Sequence, residues 1–124
     1  VLMKNDKLVH QNYLDGSIKP VNSAYINQIT YGLNYEILVT DKENEGNIGK
    51  FNTKILPSIT DLSRDIILFG GISKEMVPEL LNSPKIVAVG LGNLLSYKEH
   101  AVQEIKLNSK SPFLREAIFE SSIL

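Results

Sequence analysis

The sequence predicts an α/β protein built on a parallel sheet. Strand-like and helix-like segments alternate along the chain with short connections between them. Two of the strand-like segments are continuously apolar, as strands buried on both faces are. Parallel neighbours need a crossover between them, and a helix after each strand supplies it. The length of 124 residues and the hydrophobic content of 43% suit one compact domain, residues 1–124.

In chain order, residues 1–4 are a short apolar run, Asn5-Asp6-Lys7 has turn chemistry, and Leu8-Val9-His10-Gln11 reads as a second strand, so the chain opens with a hairpin. Residues 14–20, centred on Asp15-Gly16, read as loop. Asn22 or Ser23 caps a helix on which Ile26, Ile29 and Leu33 recur at helical spacing, with Gly32 where a left-handed cap is wanted. Residues 36–40 form a strand ending at Asp41, and the polar stretch 42–50, with two glycines, is a long mobile loop. Ile55, Ile59 and Leu62 fit a helical face that Pro57 forces to start late or break.

Asp65-Ile66-Ile67-Leu68-Phe69 is the first buried strand and Gly70-Gly71 closes it. Ser73 is a candidate N-cap for a helix carrying Met76, Val77, Leu80 and Leu81, made irregular by Pro78. Ile86-Val87-Ala88-Val89 is the second buried strand, closed by Gly90, Gly92 and Asn93. Ser96 and Glu99 form a capping box before a helix with Ala101, Val102 and Ile105. Ser111-Pro112 is an N-cap with proline at the first helical position, opening a last helix with Leu114, Ala117 and Ile118. The four main strands are therefore residues 1–4, 36–40, 65–69 and 86–89.

Composition excludes several functions. With 13 basic against 14 acidic residues there is no broad footprint for nucleic acid and no basic face for an anionic membrane. The absence of cysteine excludes disulfides, thiolate metal sites and cysteine nucleophiles. Two histidines far apart in sequence argue against a metal centre, and no cofactor is implied. No apolar run reaches a membrane-spanning length and residues 1–6 lack a signal-peptide pattern, so the expectation is a soluble cytoplasmic protein.

Ligands of parallel sheets sit at the carboxyl ends of the strands. A glycine pair there lets backbone N–H groups approach an anion closely, and a following helix start adds unpaired donors. Gly70, Gly71, Ser73, Gly90, Gly92 and Asn93 are accordingly candidate phosphate-binding residues on two successive strand ends. The alternative is that these glycines serve only tight turns. Asp41 at a strand end is a candidate base or a loop cap. His10, a histidine in the opening hairpin, is a second candidate catalytic residue.

The segment Ile66-Ile67-Leu68-Phe69-Gly70-Gly71-Ile72, then a helix, then Ile86-Val87-Ala88-Val89-Gly90, resembles the last two strand–helix units of the cyclase subunit of imidazole glycerol phosphate synthase. Val1-Leu2-Met3-Lys4-Asn5-Asp6-Lys7-Leu8-Val9-His10 resembles that family's first strand and hairpin, and Tyr35-Glu36-Ile37-Leu38-Val39-Thr40-Asp41 its second strand. The internal twofold similarity of the family barrel also allows the last two strands to match its third and fourth, but Tyr97-Lys98-Glu99-His100-Ala101-Val102 favours the C-terminal match.

The resemblance implies a half-length version of a histidine-biosynthesis lyase: a four-stranded parallel (β/α)4 half barrel of the TIM-barrel type. It implies a phosphorylated sugar or phosphoribosyl ligand at the strand rim, and a glutaminase subunit as partner. The family's first catalytic aspartate is replaced by Met3, its second lies on a strand this chain lacks, and its lysine after the hairpin is replaced by His10. Methionine cannot exchange a proton, so the phosphate grip is kept without the family's acid–base pair.

A half barrel would leave two open edges and an exposed apolar face, which a homodimer completing eight strands would remove, with residues 1–4 or 36–40 at the seam. A small open doubly wound sheet, with helices on both faces, would need no partner. The functional readings are a cyclase-like lyase, a non-catalytic phosphate-binding partner of a glutamine amidotransferase, and a structural half barrel without substrate.

Overall fold

The structure, a computed structural model, describes residues 1–92, 100–109 and 112–118. Strand β1 (Leu2–Lys4) turns back through Asn5 and Asp6 into β2 (Lys7–Gln11). Asn5 and Asp6 have φ of 50° and 58°, the left-handed pair that a two-residue hairpin turn needs. The chain then forms β3 (Ile18–Pro20), antiparallel to β2, in a stretch whose composition reads as loop. Proline fits because β3 is an edge strand and can spare an N–H.

Helix α1 (Ser23–Ile29) starts where the Asn22 side chain accepts from the Tyr25 N–H at 2.8 Å. Of its expected apolar face only Ile26 is buried, and Ile29 is 55% exposed. Strand β4 (Ile37–Asp41) follows, then the 42–50 loop, a 3-10 turn at Thr53–Ile55 and α2 (Leu56–Thr60), with Pro57 in the first turn where its missing N–H costs nothing. Strand β5 (Ile66–Phe69), α3 (Met76–Leu81) and β6 (Ile86–Gly90) complete the repeat. Helix α4 (Ala101–Ser109) packs on α3. The last helix expected from Ser111-Pro112 does not form: 112–118 is turn and irregular chain, with Phe113 exposed. Ser96, Tyr97, Glu99 and Ser111 lie outside the described residues.

The sheet order is β3-β2-β1-β4-β5-β6. Strands β1, β4, β5 and β6 are parallel neighbours, as expected of the four main strands, whereas β1–β2 and β2–β3 are antiparallel. The expected four-stranded parallel (β/α)4 half barrel is therefore corrected: this is a six-stranded mixed sheet with four helices among the described residues. Completion of an eight-stranded barrel through residues 1–4 or 36–40 falls with it. β1 is already paired on both sides, by β2 and β4, and β4 lies between β1 and β5, so neither has a free edge to offer.

All the buried apolar side chains of the parallel strands belong to one face. Ile37 and Val39 of β4, Ile66 and Leu68 of β5, and Ile86 of β6 join Ile26, Ile59, Val77, Leu80 and Ile105 of the four helices in a single core. Among the described residues the doubly wound alternative, with helices on both faces, is likewise not found. The other face carries Leu38, 50% exposed, with half-buried Ile67 and Phe69. On it Lys42 reaches back from the end of β4 to β2, its Nζ donating to Gln11 Oε1 at 2.8 Å. An extra residue in β6 shifts its register, so that Ile66 faces Ile86 but Ile67 faces Ala88, a bulge at Val87.

One-sided burial separates neighbouring strand leucines. Leu68→Ala should lower unfolding free energy in urea by about 2–5 kcal/mol, whereas Leu38→Ala should cost about 1 kcal/mol or less, because a half-exposed side chain leaves no closed cavity.

Candidate functional site

Asp41 ends β4 with its side chain turned to the core face, 2% exposed. Its carboxylate accepts from the Asn44 N–H at 3.3 Å, the Asn44 Nδ2 at 2.8 Å and the Asn52 N–H at 2.9 Å. Those donors lie at the two ends of the 42–50 loop. Glu43 accepts from the Asn5 N–H at 3.0 Å, and Asn52 Nδ2 donates to Asp6 Oδ1, so the loop is also tied to the first hairpin. After the loop the Phe51 side chain is buried and its N–H donates to the Gly71 carbonyl at 3.1 Å.

The loop crosses directly over the end of β5. Gly70 has φ +103°, and a Cβ there would lie 2.5 Å from the Asp41 carbonyl oxygen. Gly71 has φ +70°, and its Cβ would lie 2.7 Å from the Asn44 carbonyl oxygen. Both positions require glycine for backbone conformation and for close passage of the loop. On β6, a Cβ at Gly90 would meet the Phe69 ring at 2.6 Å, while one at Gly92 would have ordinary contact at 3.8 Å.

Between loop, β5 and β6 lies a cleft of about 310 Å3 at the carboxyl ends of the parallel strands. Its wall combines Phe69 at the end of β5 with Gly70, Gly71 and Ile72 after it, Gly90 at the end of β6 with Gly92 after it, and Glu45, Gly46 and Ile48 from the loop. Four of the expected phosphate-binding residues, Gly70, Gly71, Gly90 and Gly92, thus converge on one cavity. Ser73 is buried behind it, near Gly49, and is not the side-chain cap of α3; its carbonyl accepts from the Met76 N–H instead. Asn93 lies outside the described residues.

The two candidate catalytic residues are not brought together. The Asp41 backbone lies against Gly70, and its carboxylate is spent on the loop. His10 is exposed on β2 opposite Lys19, level with the amino end of β1 and thus at the far end of the parallel strands from the cleft. Met3 is the register partner of Asp41 and fills the core. Residue-type reasoning missed Glu45, Gly46, Ile48 and Phe69. The signal for the loop residues was one apolar side chain, Ile48, within an otherwise polar run.

Among the lining residues Glu45 alone ionises, so the wall offers backbone groups, apolar surface and one carboxylate. Among the described residues, no three histidine, aspartate or glutamate side chains gather as a metal site, and no helix is long and apolar enough to cross a membrane. No family model, curated protein or solved structure matches the chain.

The glycines are separable by substitution. Gly70→Ala should cost about 3 kcal/mol or more, since left-handed strain adds to a clash with backbone. Gly92→Ala should stay within about 0.5 kcal/mol of the parent. Urea denaturation of the two variants measures both.

Proposed function

We propose that the cleft binds a small phosphorylated sugar, without acid–base chemistry of its own. The observation that carries this is the convergence of two glycine-rich strand ends, Gly70-Gly71 and Gly90 to Gly92, on one cavity at the carboxyl side of adjacent parallel strands. That is where parallel sheets take ligands, and backbone at such turns suits an anion. Glu45 favours a sugar over a bare anion. A carboxylate repels phosphate but accepts strongly from a sugar hydroxyl, so phosphate on the glycine side and hydroxyls toward Glu45 is the complementary arrangement.

The resemblance to the histidine-biosynthesis cyclase enters this proposal through the phosphorylated ligand and not through the lyase reaction. A lyase needs a proton donor and acceptor within reach of the substrate. Met3 provides neither, and the Asp41 carboxylate already receives three N–H groups. A cleft of about 310 Å3 is at the small end of ligand sites, which fits a sugar monophosphate better than a nucleotide.

Titration with ribose 5-phosphate, followed by amide chemical shifts, tests the proposal. Shifts should cluster at Gly70, Gly71, Ile72, Gly90 and Gly92, with inorganic phosphate binding more weakly. Glu45→Gln should weaken the sugar phosphate about tenfold, by loss of a charge-assisted hydrogen bond, and strengthen inorganic phosphate. No shifts at these amides up to about 5 mM ligand, a range that captures even millimolar affinity, would rule the reading out.

A further inference from the structure

The wall of the cleft formed by the 42–50 loop differs in kind from the strand ends opposite. It is fastened at both ends and has no regular structure between them. At one end Asn44 donates twice to the buried Asp41 carboxylate; at the other, the Asn52 N–H donates to the same carboxylate and Phe51 is inserted into the core. Residues 45–50 between these anchors are all exposed, and Gly46 and Gly49 have φ of +82° and +79°. Both glycines can take up large backbone rotations that other residues resist.

We propose that residues 45–50 are a gate over the cleft, hinged at Gly46 and Gly49, and that the Asp41 carboxylate is the latch that holds it in place. The gate carries Glu45 and Ile48, two of the side chains that line the cleft, so its position decides whether a ligand is enclosed. One buried carboxylate fastening both ends of a segment makes the anchors interdependent. Losing it frees donors at residues 44 and 52 together, and those N–H groups then gain more from water than from a closed loop. Asp41 is in this role a positioning residue. Ligand enclosure by the gate rests on the sugar-phosphate reading, whereas the latch stands without it. Gating segments of this kind are drawn from the least stable parts of a fold.

Hydrogen exchange on the full chain, read by mass spectrometry, separates the two. In Asp41→Ala, amides of 44–50 should exchange about tenfold faster or more, while β4 and β5 keep their protection. Asn44→Ala, which removes the Nδ2 bond but leaves the carboxylate, should give a smaller increase in the same residues and serves as the deciding variant if Asp41→Ala unfolds. In the parent protein, ribose 5-phosphate should slow exchange at 45–50, and Asp41→Ala should abolish that slowing. Unchanged exchange at 44–50 in the folded Asp41→Ala protein, or in Asn44→Ala where Asp41→Ala unfolds, overturns the latch. Faster exchange in the variants, with neither slowing at 45–50 nor ligand shifts at the glycine amides in the parent, keeps the latch and overturns the sugar-phosphate reading. Ligand shifts at the glycine amides without slowing at 45–50 keep that reading and overturn the gate.

Discussion

The close passage of the Asp41 backbone over Gly70 is the contact on which the carboxyl end of the sheet depends. With β4 and β5 in parallel register up to Thr40 and Phe69, β5 leaves the sheet at Gly70 while Asp41 still pairs with Met3 of β1. The chain after β5 passes so close to the Asp41 backbone that residue 70 has no room for a side chain, and Gly70 has none. Asp41 then turns its carboxylate inward, where burial would be costly without partners. Three N–H groups from Asn44 and Asn52 supply them. The same arrangement that makes the strand exit possible therefore determines where the 42–50 loop begins and ends, and with it one wall of the cleft.

The sheet as a whole is one-sided. The crossovers from β4 to β5 and from β5 to β6 place their helices against the same face, and among the described residues the main core cluster forms there. At β1 and β2 the opposite face is partly covered by the protein itself, since Lys42 runs back to Gln11 and Val9 is only 5% exposed. Toward β4, β5 and β6 it is apolar and only half covered. The antiparallel addition of β2 and β3 matters here. It moves the free edge of the sheet from β1 to β3, which is three residues long, exposed throughout and ended by Pro20, features that discourage further pairing.

How much of this was legible depended on whether the signal was local. Continuous apolar runs identified β5 and β6, and alternation with short connections placed β1, β4, β5 and β6 side by side. Pro57 marked the late start of α2. The loop-like composition of Ser17 to Pro20 hid β3, because a three-residue edge strand needs little propensity of its own once β2 offers a partner. Barrel closure was misjudged for the same reason: the order of the parallel strands is shared by a half barrel and an open sheet, and only the hairpin edge distinguishes them. Ser73 illustrates the limit at the site. Its type and position suited a cap, yet α3 starts later, after a turn that leaves its hydroxyl buried near Gly49.

The glycines border the cleft, but for a reason other than the one their residue type suggests. A missing side chain at a strand end suggests room for a ligand. At Gly70 and Gly71 that room is filled by the backbone of the chain itself, and at Gly90 by the ring of Phe69. The cavity arises instead because the 42–50 loop, forced over β5 by these contacts, stands off from β6 and leaves Gly92 open. The glycines thus act one step earlier than expected: they admit the loop, and the loop encloses the cleft. Chemistry at the site is then controlled less by the strand ends, which are common to parallel sheets, than by the side chains the loop brings over them. Glu45 is the one ionisable side chain among these.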